Sequence, residues 1–330
     1  MKPHQLILVA SILLLCIRTA LMAQEQPRPR PLMQPPHIPD SIRAETDIPY
    51  AASDNPHQRL DLYFPKSPKG DKPLPVVVFI HGGAFQMGDK GSGAGSGGPS
   101  GFGLVIAMVA SGEYAGASIN YRLSQEALWP AQIYDCKAAI RWLRANGGKY
   151  RIDPDRIGVT GTSAGGHLVA MLGTSGGVKT LEGTLGDHVD VSSRVACVVD
   201  QFGPVDFLAM YGGDNHAPDV PEAKLIGGPL AENQESARNA SPITYVAADN
   251  PPFLLVHGTR DPAININQSE RFFAALKKAG VDATFIQVTG AGHGNFGNPE
   301  VSKRIRLFFD KHLRGQDVII SDEPIPARPG

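Results

Sequence analysis

One seven-residue stretch, Gly161 to His167, constrains this chain more than any other segment. It reads Gly-Thr-Ser-Ala-Gly-Gly-His and lies between a β-branched run, Arg156 to Thr160, and an apolar run, His167 to Leu172, that suits a helix. A G-x-S-x-G pentad between a strand and a helix predicts a turn that is too tight for side chains at its flanks, because glycine accepts backbone angles that other residues resist. Such a turn presents the hydroxyl of Ser163 at the carboxyl edge of a sheet. The alternative is an ordinary Gly/Ser loop.

Strand-like and helix-like runs alternate along most of the chain. We predict strands over Leu60–Phe64, Pro75–Ile80, Tyr114–Ile119, Val195–Asp200, Pro252–His257 and Ala283–Val288. The strand at Pro75–Ile80 is continuously apolar, and we therefore expect it to be covered on both faces of the sheet. We predict helices over Phe102–Ala110, from Trp129-Pro130 to Gly147-Gly148, and over Gln268–Lys278 and Pro299–Leu313. This alternation predicts an α/β fold with a mostly parallel sheet and helices on both faces. In such folds ligands bind beyond the carboxyl ends of the strands.

Two further residues follow predicted strands and carry the chemistry that a serine nucleophile needs. Asp261 comes four residues after His257, and His293 lies in the glycine-rich loop that follows the strand ending at Val288. A serine hydroxyl is a weak nucleophile until a base removes its proton; histidine suits that task, and a carboxylate orients and stabilises the imidazole. Ser163, Asp261 and His293 are therefore predicted to form a catalytic triad. Taken singly, Asp261 could cap a helix and His293 could be a loop histidine without a role.

A glycine pair follows the apolar strand that ends at Ile80. His81-Gly82-Gly83 lies immediately after this strand, where backbone N–H groups could face the serine. We expect the amides of Gly82, Gly83 and Ala164 to form an oxyanion hole, which stabilises the charge that develops on a carbonyl oxygen during nucleophilic attack. The alternative is a plain glycine turn after a buried strand.

Together these segments resemble the α/β-hydrolase superfamily, in particular bacterial feruloyl and acetyl-xylan esterases, which are related to the hormone-sensitive-lipase-like carboxylesterases. The order Ser, Asp, His is that of α/β-hydrolases. The resemblance extends over roughly residues 60–313 and is carried by Phe79-Ile80-His81-Gly82-Gly83-Ala84-Phe85, Asn120-Tyr121-Arg122-Leu123, Asp153-Pro154-Asp155-Arg156-Ile157, Gly161–His167, His257-Gly258-Thr259-Arg260-Asp261 and Gly292-His293-Gly294. It implies an α/β-hydrolase domain and hydrolysis of carboxylic esters.

Two positions depart from the lipase-like branch of that superfamily. Ala84 stands where lipase-like enzymes have the third glycine of an HGGG motif, and Thr162 replaces the aspartate often found before the nucleophile. The acid loop, with Asp261 after His-Gly-x-x, resembles the feruloyl-esterase and prolyl-oligopeptidase side. The resemblance and the export signal described below therefore imply acetyl or hydroxycinnamoyl esters of carbohydrates as substrates, small molecules or polysaccharides.

Several aromatic residues occur in loops near the predicted strand ends. We expect two or three of them to line the substrate pocket, and the candidates are Phe85, Trp129, Phe202, Tyr211 and Phe296. Two other functions remain open at this stage. One is a peptidase or amidase of the same fold, although the chain lacks a propeller-sized N-terminal region. The other is a non-catalytic binding protein, which the complete triad disfavours.

The N-terminus predicts export. Lys2 precedes an apolar run, Leu6 to Ile17, and we expect cleavage after Ala23, which would make the protein secreted or periplasmic without stable membrane insertion. A lipoprotein box at Cys16 is disfavoured because Leu15 stands where a small residue is required. The expected domains are a signal peptide (1–23), a Pro-rich linker (24–47), a catalytic domain (48–315) with a small irregular insertion at about 203–250, and a loosely attached C-terminal tail (316–330).

Composition and the remaining motifs exclude several other functions. A formal net charge of -1 gives no basic face, so nucleic acid is not an expected partner. The G-x-G-x-x-G match at 93–98 lies in a Gly/Ser loop and does not predict nucleotide binding, so we expect no cofactor. We expect no metal ion either, because no histidines have the spacing of a zinc site. His167 is expected to be a packed helix residue, and Cys136 and Cys197 are expected to be buried free thiols. The sequence predicts no oligomeric state.

Overall fold

Apolar residues on both faces of the central strands place a hydrophobic core on each side of the sheet. The computed structural model describes residues 38–91, 101–211, 216–294 and 296–327. In β3 (Leu74–Ile80), Val76 and Val78 belong to one core, while Val77 and Phe79 belong to the core on the opposite face. Successive side chains of a strand point to opposite faces, so a strand covered on both sides needs an unbroken apolar run.

The sheet has nine strands in the described part of the chain. They are β1 (Ile42–Pro49), β2 (Arg59–Pro65), β3, β4 (Ala115–Ile119), β5 (Ile152–Thr162), β6 (Cys197–Gln201), β7 (Phe253–Gly258), β8 (Ala283–Thr289) and β9 (Ile325–Pro326). Their order is β1-β2-β4-β3-β5-β6-β7-β8-β9. β2 is antiparallel to both β1 and β4, and the remaining neighbours are parallel. The prediction of a mostly parallel α/β-hydrolase sheet is confirmed.

Helices cover both faces of the sheet, as predicted. They are α1 (Phe102–Ala110), α2 (Ala131–Ala145), α3 (Gly147–Tyr150), α4 (Ala164–Thr174), α5 (Lys179–Glu182), α6 (Pro221–Ile226), α7 (Gln234–Asn239), α8 (Asn267–Lys278) and α9 (Pro299–Arg314). The apolar residues of α1 and α9 form one core with the sheet, and those of α2, α4 and α8 form the other. Within the described residues, no helix is both long and apolar enough to cross a membrane.

The strand registers bring the predicted site residues to one edge of the sheet. Ile80, the last residue of β3, pairs with Gly161 of β5, so the chain leaves both strands at the same level. Gly258, the last residue of β7, pairs with Val288 of β8. The loops that follow these four strands therefore emerge side by side at the carboxyl edge, where ligands bind in open α/β sheets.

The N-terminal boundary predicted near residue 48 is wrong, because the sheet begins with β1 at Ile42. This strand pairs with β2 from Ile42 opposite Pro65 to Pro49 opposite Arg59. Ile42 is its one buried residue, and the others are partly or fully exposed. A polar edge strand lacks the apolar pattern that marks a central strand, so residues 42–47 resemble linker in sequence. The predicted signal peptide, including Cys16, lies outside the described residues.

The C-terminal segment is not the loosely attached tail that its proline content suggests. Ile325 and Pro326 form β9 beside β8, and the Ile325 side chain is buried. The guanidinium of Arg304, on α9, donates to the carbonyl oxygens of Ser321 and Glu323 at 2.9 and 2.6 Å. Backbone pairing and these bonds attach residues 316–327 to the domain, although few of their side chains are apolar.

The irregular segment at 203–250 packs against α4. Its described residues include α6, α7 and the 3₁₀ turns Phe207–Ala209 and Pro242–Tyr245. The ring of Phe207 stacks on that of His167, with centroids 5.1 Å apart, and the Ala240 carbonyl accepts a hydrogen bond from His167 Nε2 at 2.6 Å. The segment is therefore attached to the helix that follows Ser163.

Candidate active site

Ser163 occupies a strained turn between β5 and α4. Its backbone angles are φ 56° and ψ −121°, a region that residues with side chains rarely adopt. A Cβ at Gly161 would lie 2.2 Å from the carbonyl oxygen of Gly165, and a Cβ at Gly165 would lie 2.1 Å from that of Ile80. Both flanking glycines are thus required by backbone that approaches too closely for a side chain, as the pentad predicts.

The three predicted triad residues form one chain of hydrogen bonds. His293 Nε2 is 3.0 Å from Ser163 Oγ, and His293 Nδ1 is 2.7 Å from Asp261 Oδ2. The carboxylate of Asp261 is fully buried, whereas 27% of the His293 side chain is exposed. A buried carboxylate is suited to stabilise a charged imidazole, and a partly exposed imidazole is suited to carry protons.

Asp261 has a partner for each side-chain oxygen. Its Oδ1 accepts from the backbone N–H groups of Ala263 and Ile264 at 2.8 and 2.9 Å. Its Oδ2 accepts from His293 and is 3.3 Å from His257 Nε2. Burial by itself raises the pKa of this carboxyl, but the hydrogen bonds from the two histidines and from the Ile264 amide outweigh it and hold the pKa well below its ordinary value. Asp261 is therefore ionised beside His293.

Motif analysis did not single out His257 as a functional residue. Its imidazole is completely buried at the end of β7. Nε2 donates to the Ile264 carbonyl at 2.9 Å, and Nδ1 accepts from the Ser269 hydroxyl at 2.7 Å. Because a carbonyl can only accept, Nε2 carries the proton, and the same N–H faces Asp261 Oδ2. The only sequence signal is the spacing of four residues between this histidine and the acid.

The predicted oxyanion residues lie directly against the serine turn. A Cβ at Gly82 would be 2.7 Å from the Thr162 carbonyl oxygen and 3.3 Å from Ser163 Cβ. Gly83 has φ +115°, which favours glycine. Ala164 is the first residue of α4, where backbone N–H groups have no partner within the helix. The close approach of Gly82 and Ala164 to Ser163 brings their backbones to the nucleophile from two sides.

His81 orients the peptide that joins the two glycines. Its Nδ1 donates to the carbonyl oxygen of Gly82 at 2.7 Å, and its ring stacks on Tyr121 with centroids 4.5 Å apart. Burial lowers the pKa of His81 to about 4, so the ring is neutral with its proton on Nδ1. In a trans peptide the C=O and the following N–H point in opposite directions. The Gly83 N–H therefore points away from the His81 ring.

The five aromatic candidates for the substrate pocket occupy three different environments. Phe202 packs edge-on against His293 with ring centroids 4.8 Å apart, and Phe296 supports Phe202 from 5.5 Å. Phe85 packs against His167 at 5.2 Å. These three side chains are buried and pack around the site, so at most two of the five candidates are left to line the substrate pocket. Two candidates remain, of which Tyr211 lines a cavity beside Asp261 and Trp129 stays a prediction.

Trp129 links the catalytic domain to the irregular segment. Its Nε1 donates to Asn239 Oδ1 at 2.7 Å, and its ring lies 5.5 Å from that of His167. Burial lowers the pKa of His167 to about 4, so this histidine is a neutral, packed helix residue, as predicted.

Cys136 and Cys197 are both free and buried, also as predicted. The G-x-G-x-x-G match at 93–98 lies outside the described residues.

Among the residues that the structure describes, no group of three or more histidine, cysteine or acidic side chains is placed to hold a metal ion. The groups that the structure brings together at the edge of the sheet are a hydroxyl, an imidazole, a buried carboxylate and backbone amides. This set supports acyl transfer to serine.

Comparison with known proteins agrees with this geometry. The BD-FAE family model matches residues 60–276. Esterase LipC of Mycobacterium tuberculosis is 33% identical over 248 residues, which cover 73% of this chain and 58% of LipC. The chain spans less than two thirds of the length of the curated relatives it matches first.

Solved structures give the same result over the whole domain. A truncated carbohydrate esterase from gut microbiota is 35% identical, with a TM-score of 0.77, and the match covers 85% of this chain and 100% of that one. An acetyl ester-xyloside bifunctional hydrolase from Caldicellulosiruptor lactoaceticus is 26% identical, with a TM-score of 0.64, over 81% of this chain and 96% of that one. The chain therefore belongs to the BD-FAE family, whose fold is that of the α/β-hydrolases.

Proposed function

We propose that this chain is a serine carboxylesterase that hydrolyses its substrates through an acyl-enzyme on Ser163. The observation that carries the proposal is the unbroken hydrogen-bond chain from Ser163 Oγ to His293 Nε2 at 3.0 Å and from His293 Nδ1 to Asp261 Oδ2 at 2.7 Å. Membership of a family whose named relatives are esterases supports the same activity. The order and spacing of these groups match the requirements of acyl transfer.

In the first half of the reaction His293 accepts the proton of Ser163 as its Oγ attacks the ester carbonyl carbon. The C–O bond to the alcohol then breaks, and the alcohol leaves with the proton from His293. In the second half water attacks the acyl-enzyme, His293 accepts a proton from it, and Ser163 is released with that proton. Asp261 stays ionised throughout and stabilises the imidazolium, which its depressed pKa permits.

The oxyanion of each tetrahedral intermediate is stabilised by the amides of Gly82, Gly83 and Ala164. His81 supports the Gly83 amide by holding the carbonyl of the same peptide, that of Gly82, toward its own ring. Preorganised donors of this kind contribute strongly because they need no rearrangement as charge develops, and the loss of one typically lowers the rate by about 10²–10³-fold.

The substrates we propose are acetyl or hydroxycinnamoyl esters of carbohydrates. Two observations support this class: the truncated gut-microbial carbohydrate esterase matches over its full length, and the Caldicellulosiruptor protein is named an acetyl ester-xyloside bifunctional hydrolase. Release of acetate and ferulate from xylan tests the class. Activity confined to short synthetic esters would refute the carbohydrate part and leave the esterase part intact.

Covalent labelling tests the esterase mechanism. We expect a fluorophosphonate to label the wild-type protein and to leave Ser163→Ala unlabelled, with p-nitrophenyl acetate hydrolysis lost in parallel. A wild-type protein that neither labels nor hydrolyses this ester would be a non-catalytic member of the fold. Cleavage of a peptide p-nitroanilide at a rate exceeding ester hydrolysis would instead identify an amidase.

We also propose that the protein is exported, on the basis of the charged and apolar N-terminal segments before Ala23. Export agrees with a polysaccharide substrate, which lies outside the cell. N-terminal sequencing of the protein recovered from the periplasm or the medium should begin at Gln24. A cell-associated form acylated at Cys16 would contradict cleavage at Ala23.

A further inference from the structure

After it leaves β3, the chain folds back against the predicted oxyanion glycines. We refer to residues 81–91 as the oxyanion loop. The backbone N–H of Met87 donates to the Gly83 carbonyl at 3.1 Å, and a Cβ at Gly83 would lie 2.0 Å from the Met87 carbonyl oxygen. A Cβ at Gly88 would lie 2.6 Å from the carbonyl oxygen of Gly82. The second half of the loop therefore packs directly against the two glycines, and its position determines theirs.

Two consecutive residues after β4 hold the two ends of the oxyanion loop. The Tyr121 hydroxyl donates to the His81 carbonyl at 3.0 Å, and the two rings stack. Asn120 Oδ1 accepts from the backbone N–H of Lys90 at 2.6 Å, and Asn120 Nδ2 donates to Asp89 Oδ2 at 2.8 Å. The first end of the loop is therefore fixed by packing and one hydrogen bond, and the second end by the side-chain amide.

The Lys90 side chain connects the second end of the loop to the antiparallel edge of the sheet. Its Nζ lies 2.7 Å from Asp47 Oδ1 and 3.1 Å from Asp61 Oδ1, and only 8% of the side chain is exposed. Burial by itself lowers the pKa of this ammonium, but the two carboxylates outweigh it and raise the pKa above its ordinary value. Lys90 is therefore charged, and a charge with so little contact with water is stable only beside these partners.

An irregularity in β1 brings Asp47 to this lysine. The pairing of β1 with β2 shifts its register between Glu45 and Ile48, and Asp47 has φ +58°, which is uncommon for a residue with a side chain. The Asp47 backbone N–H donates to Asp61 Oδ1 at 2.8 Å. A bulge of this kind redirects a side chain out of the regular strand pattern. We refer to Lys90, Asp47 and Asp61 as the ion cluster.

We propose that the ion cluster keeps the oxyanion loop in the conformation that directs the amides of Gly82 and Gly83 at the developing oxyanion, with Lys90 as the positioning residue. This inference rests on the proposed esterase function and specifies what holds its oxyanion hole in place. Backbone donors stabilise a transition state strongly only when they are fixed before charge develops. The competing explanation is that the ion cluster contributes to stability alone.

Three variants separate these explanations. Lys90→Met keeps an unbranched side chain and removes the charge. Asp47→Gly removes one partner from an aspartate whose side chain is 74% exposed, and glycine tolerates the positive φ. The control is Lys137→Met, which also removes a buried ammonium from an ion pair. Lys137 Nζ donates to Glu182 Oε1 at 2.8 Å and to the carbonyl that follows α4, at the end of this helix remote from the serine turn.

The measurements are kcat and KM for p-nitrophenyl acetate, the inhibition constant Ki of a trifluoromethyl ketone, and urea unfolding. Ser163 Oγ adds to the ketone carbon, the proton passes to His293, and the ketone oxygen becomes an oxyanion, so Ki reports on the oxyanion hole. Urea unfolding verifies that each variant is folded and measures its stability.

We expect Lys90→Met to lower kcat about tenfold and to raise Ki by a similar factor, with KM little changed, because the oxyanion forms only after the substrate has bound. The effect is smaller than the loss of a donor, since the amides are displaced and not deleted. Asp47→Gly should change kcat and Ki in the same directions by about threefold, because Asp61 still pairs with the lysine. Lys137→Met should lose stability and retain the wild-type kcat and Ki.

Wild-type kcat and Ki in a folded Lys90→Met would overturn this inference and leave the esterase function intact. If Lys90→Met does not fold, wild-type values in Asp47→Gly would overturn it in the same way. An equal loss of kcat in Lys137→Met would also overturn it, because any buried ion pair would then have the same effect. A wild-type protein that hydrolyses no ester would overturn the proposed function and this inference with it.

Discussion

Asp261 Oδ2 lies between two histidines, and the motif identifies only one of them. His293 approaches from the loop after β8, where it also reaches Ser163, and His257 approaches from the buried end of β7. His257 is held by Ser269 and Ile264 and cannot reach the serine. We therefore assign it a positioning role: its N–H stabilises the ionised acid and keeps Oδ2 aligned with the base.

Substitution of His257 tests this role. We expect His257→Leu to lower kcat/KM for p-nitrophenyl acetate about tenfold, because Asp261 loses a donor, its pKa rises, and the carboxylate is less well oriented. His257→Gln should recover most of the activity, since its amide can donate to the same oxygen.

The pH profile distinguishes positioning from a general loss of structure. In His257→Leu the acidic limb of kcat/KM should move to higher pH than in the wild type, while in His257→Gln it should stay close to the wild-type position. Equal losses in both variants with unshifted profiles would contradict a positioning role.

At the scale of elements, the site depends on how closely α4 and β3 approach each other. Gly165 lies in the first turn of α4, and its Cα faces the Ile80 carbonyl at the end of β3. The turn at Ser163 and the loop His81–Gly83 are adjacent because no side chain separates these two backbones. The glycines of the pentad thus have a packing role in addition to the conformational one that the motif predicts.

Replacement of Gly165 by alanine should destabilise the domain. The new Cβ would lie 2.1 Å from the Ile80 carbonyl oxygen, so backbone must move, and we expect a loss of about 3 kcal/mol in the free energy of unfolding. Gly103→Ala is the matched control, because Gly103 lies in α1 with no atom of the described residues within 4 Å of its Cβ position. This control should be neutral or more stable by about 0.5–1 kcal/mol. Urea unfolding of the two variants measures both values; similar stabilities would refute the close approach.

At the scale of the whole molecule, the two ends of the described chain close the two edges of the sheet. β1 pairs with β2 at one edge, and β9 pairs with β8 at the other. Both segments are poor in apolar residues, and each contributes one buried isoleucine, Ile42 and Ile325. Edge strands that are short or polar also protect the sheet against pairing with other chains.

A pair of isoleucines in the C-terminal segment tests the attachment of β9. Ile325 is 2% exposed and Ile319 is 92% exposed. We expect Ile325→Asp to lower the free energy of unfolding by about 3 kcal/mol, because a carboxylate replaces a buried apolar side chain. Ile319→Asp should change it by less than about 0.5 kcal/mol. Equal thermal stability of the two full-length variants would mean that the segment is loosely attached after all.

How well each strand or helix can be predicted depends on the pattern of apolar residues that its burial requires in the sequence. β3 and β7 are evident because strands buried on both faces need continuous apolar runs. The helices α8 and α9 are evident because their apolar residues recur at helical spacing. β1 and β9 leave no such signal, since one buried side chain in a polar strand has no period. Phe85, Phe202 and Phe296 illustrate a related limit: a loop aromatic has the same sequence signature whether it lines a pocket or packs beneath it.

The residue pattern alone predicts the fold class, the family and three candidate catalytic residues, Ser163, Asp261 and His293. These residues can be predicted because a serine in a tight glycine turn, an acid at a strand end and a histidine flanked by glycines are each constrained by their local sequence. The folded arrangement is needed to show that His257 lies beside Asp261, that His81 orients the Gly82–Gly83 peptide, and that Asn267 and Gln268 line one cavity beside Asp261. These relations join residues from different strands and helices, and no local pattern records a contact that forms only when the sheet is assembled.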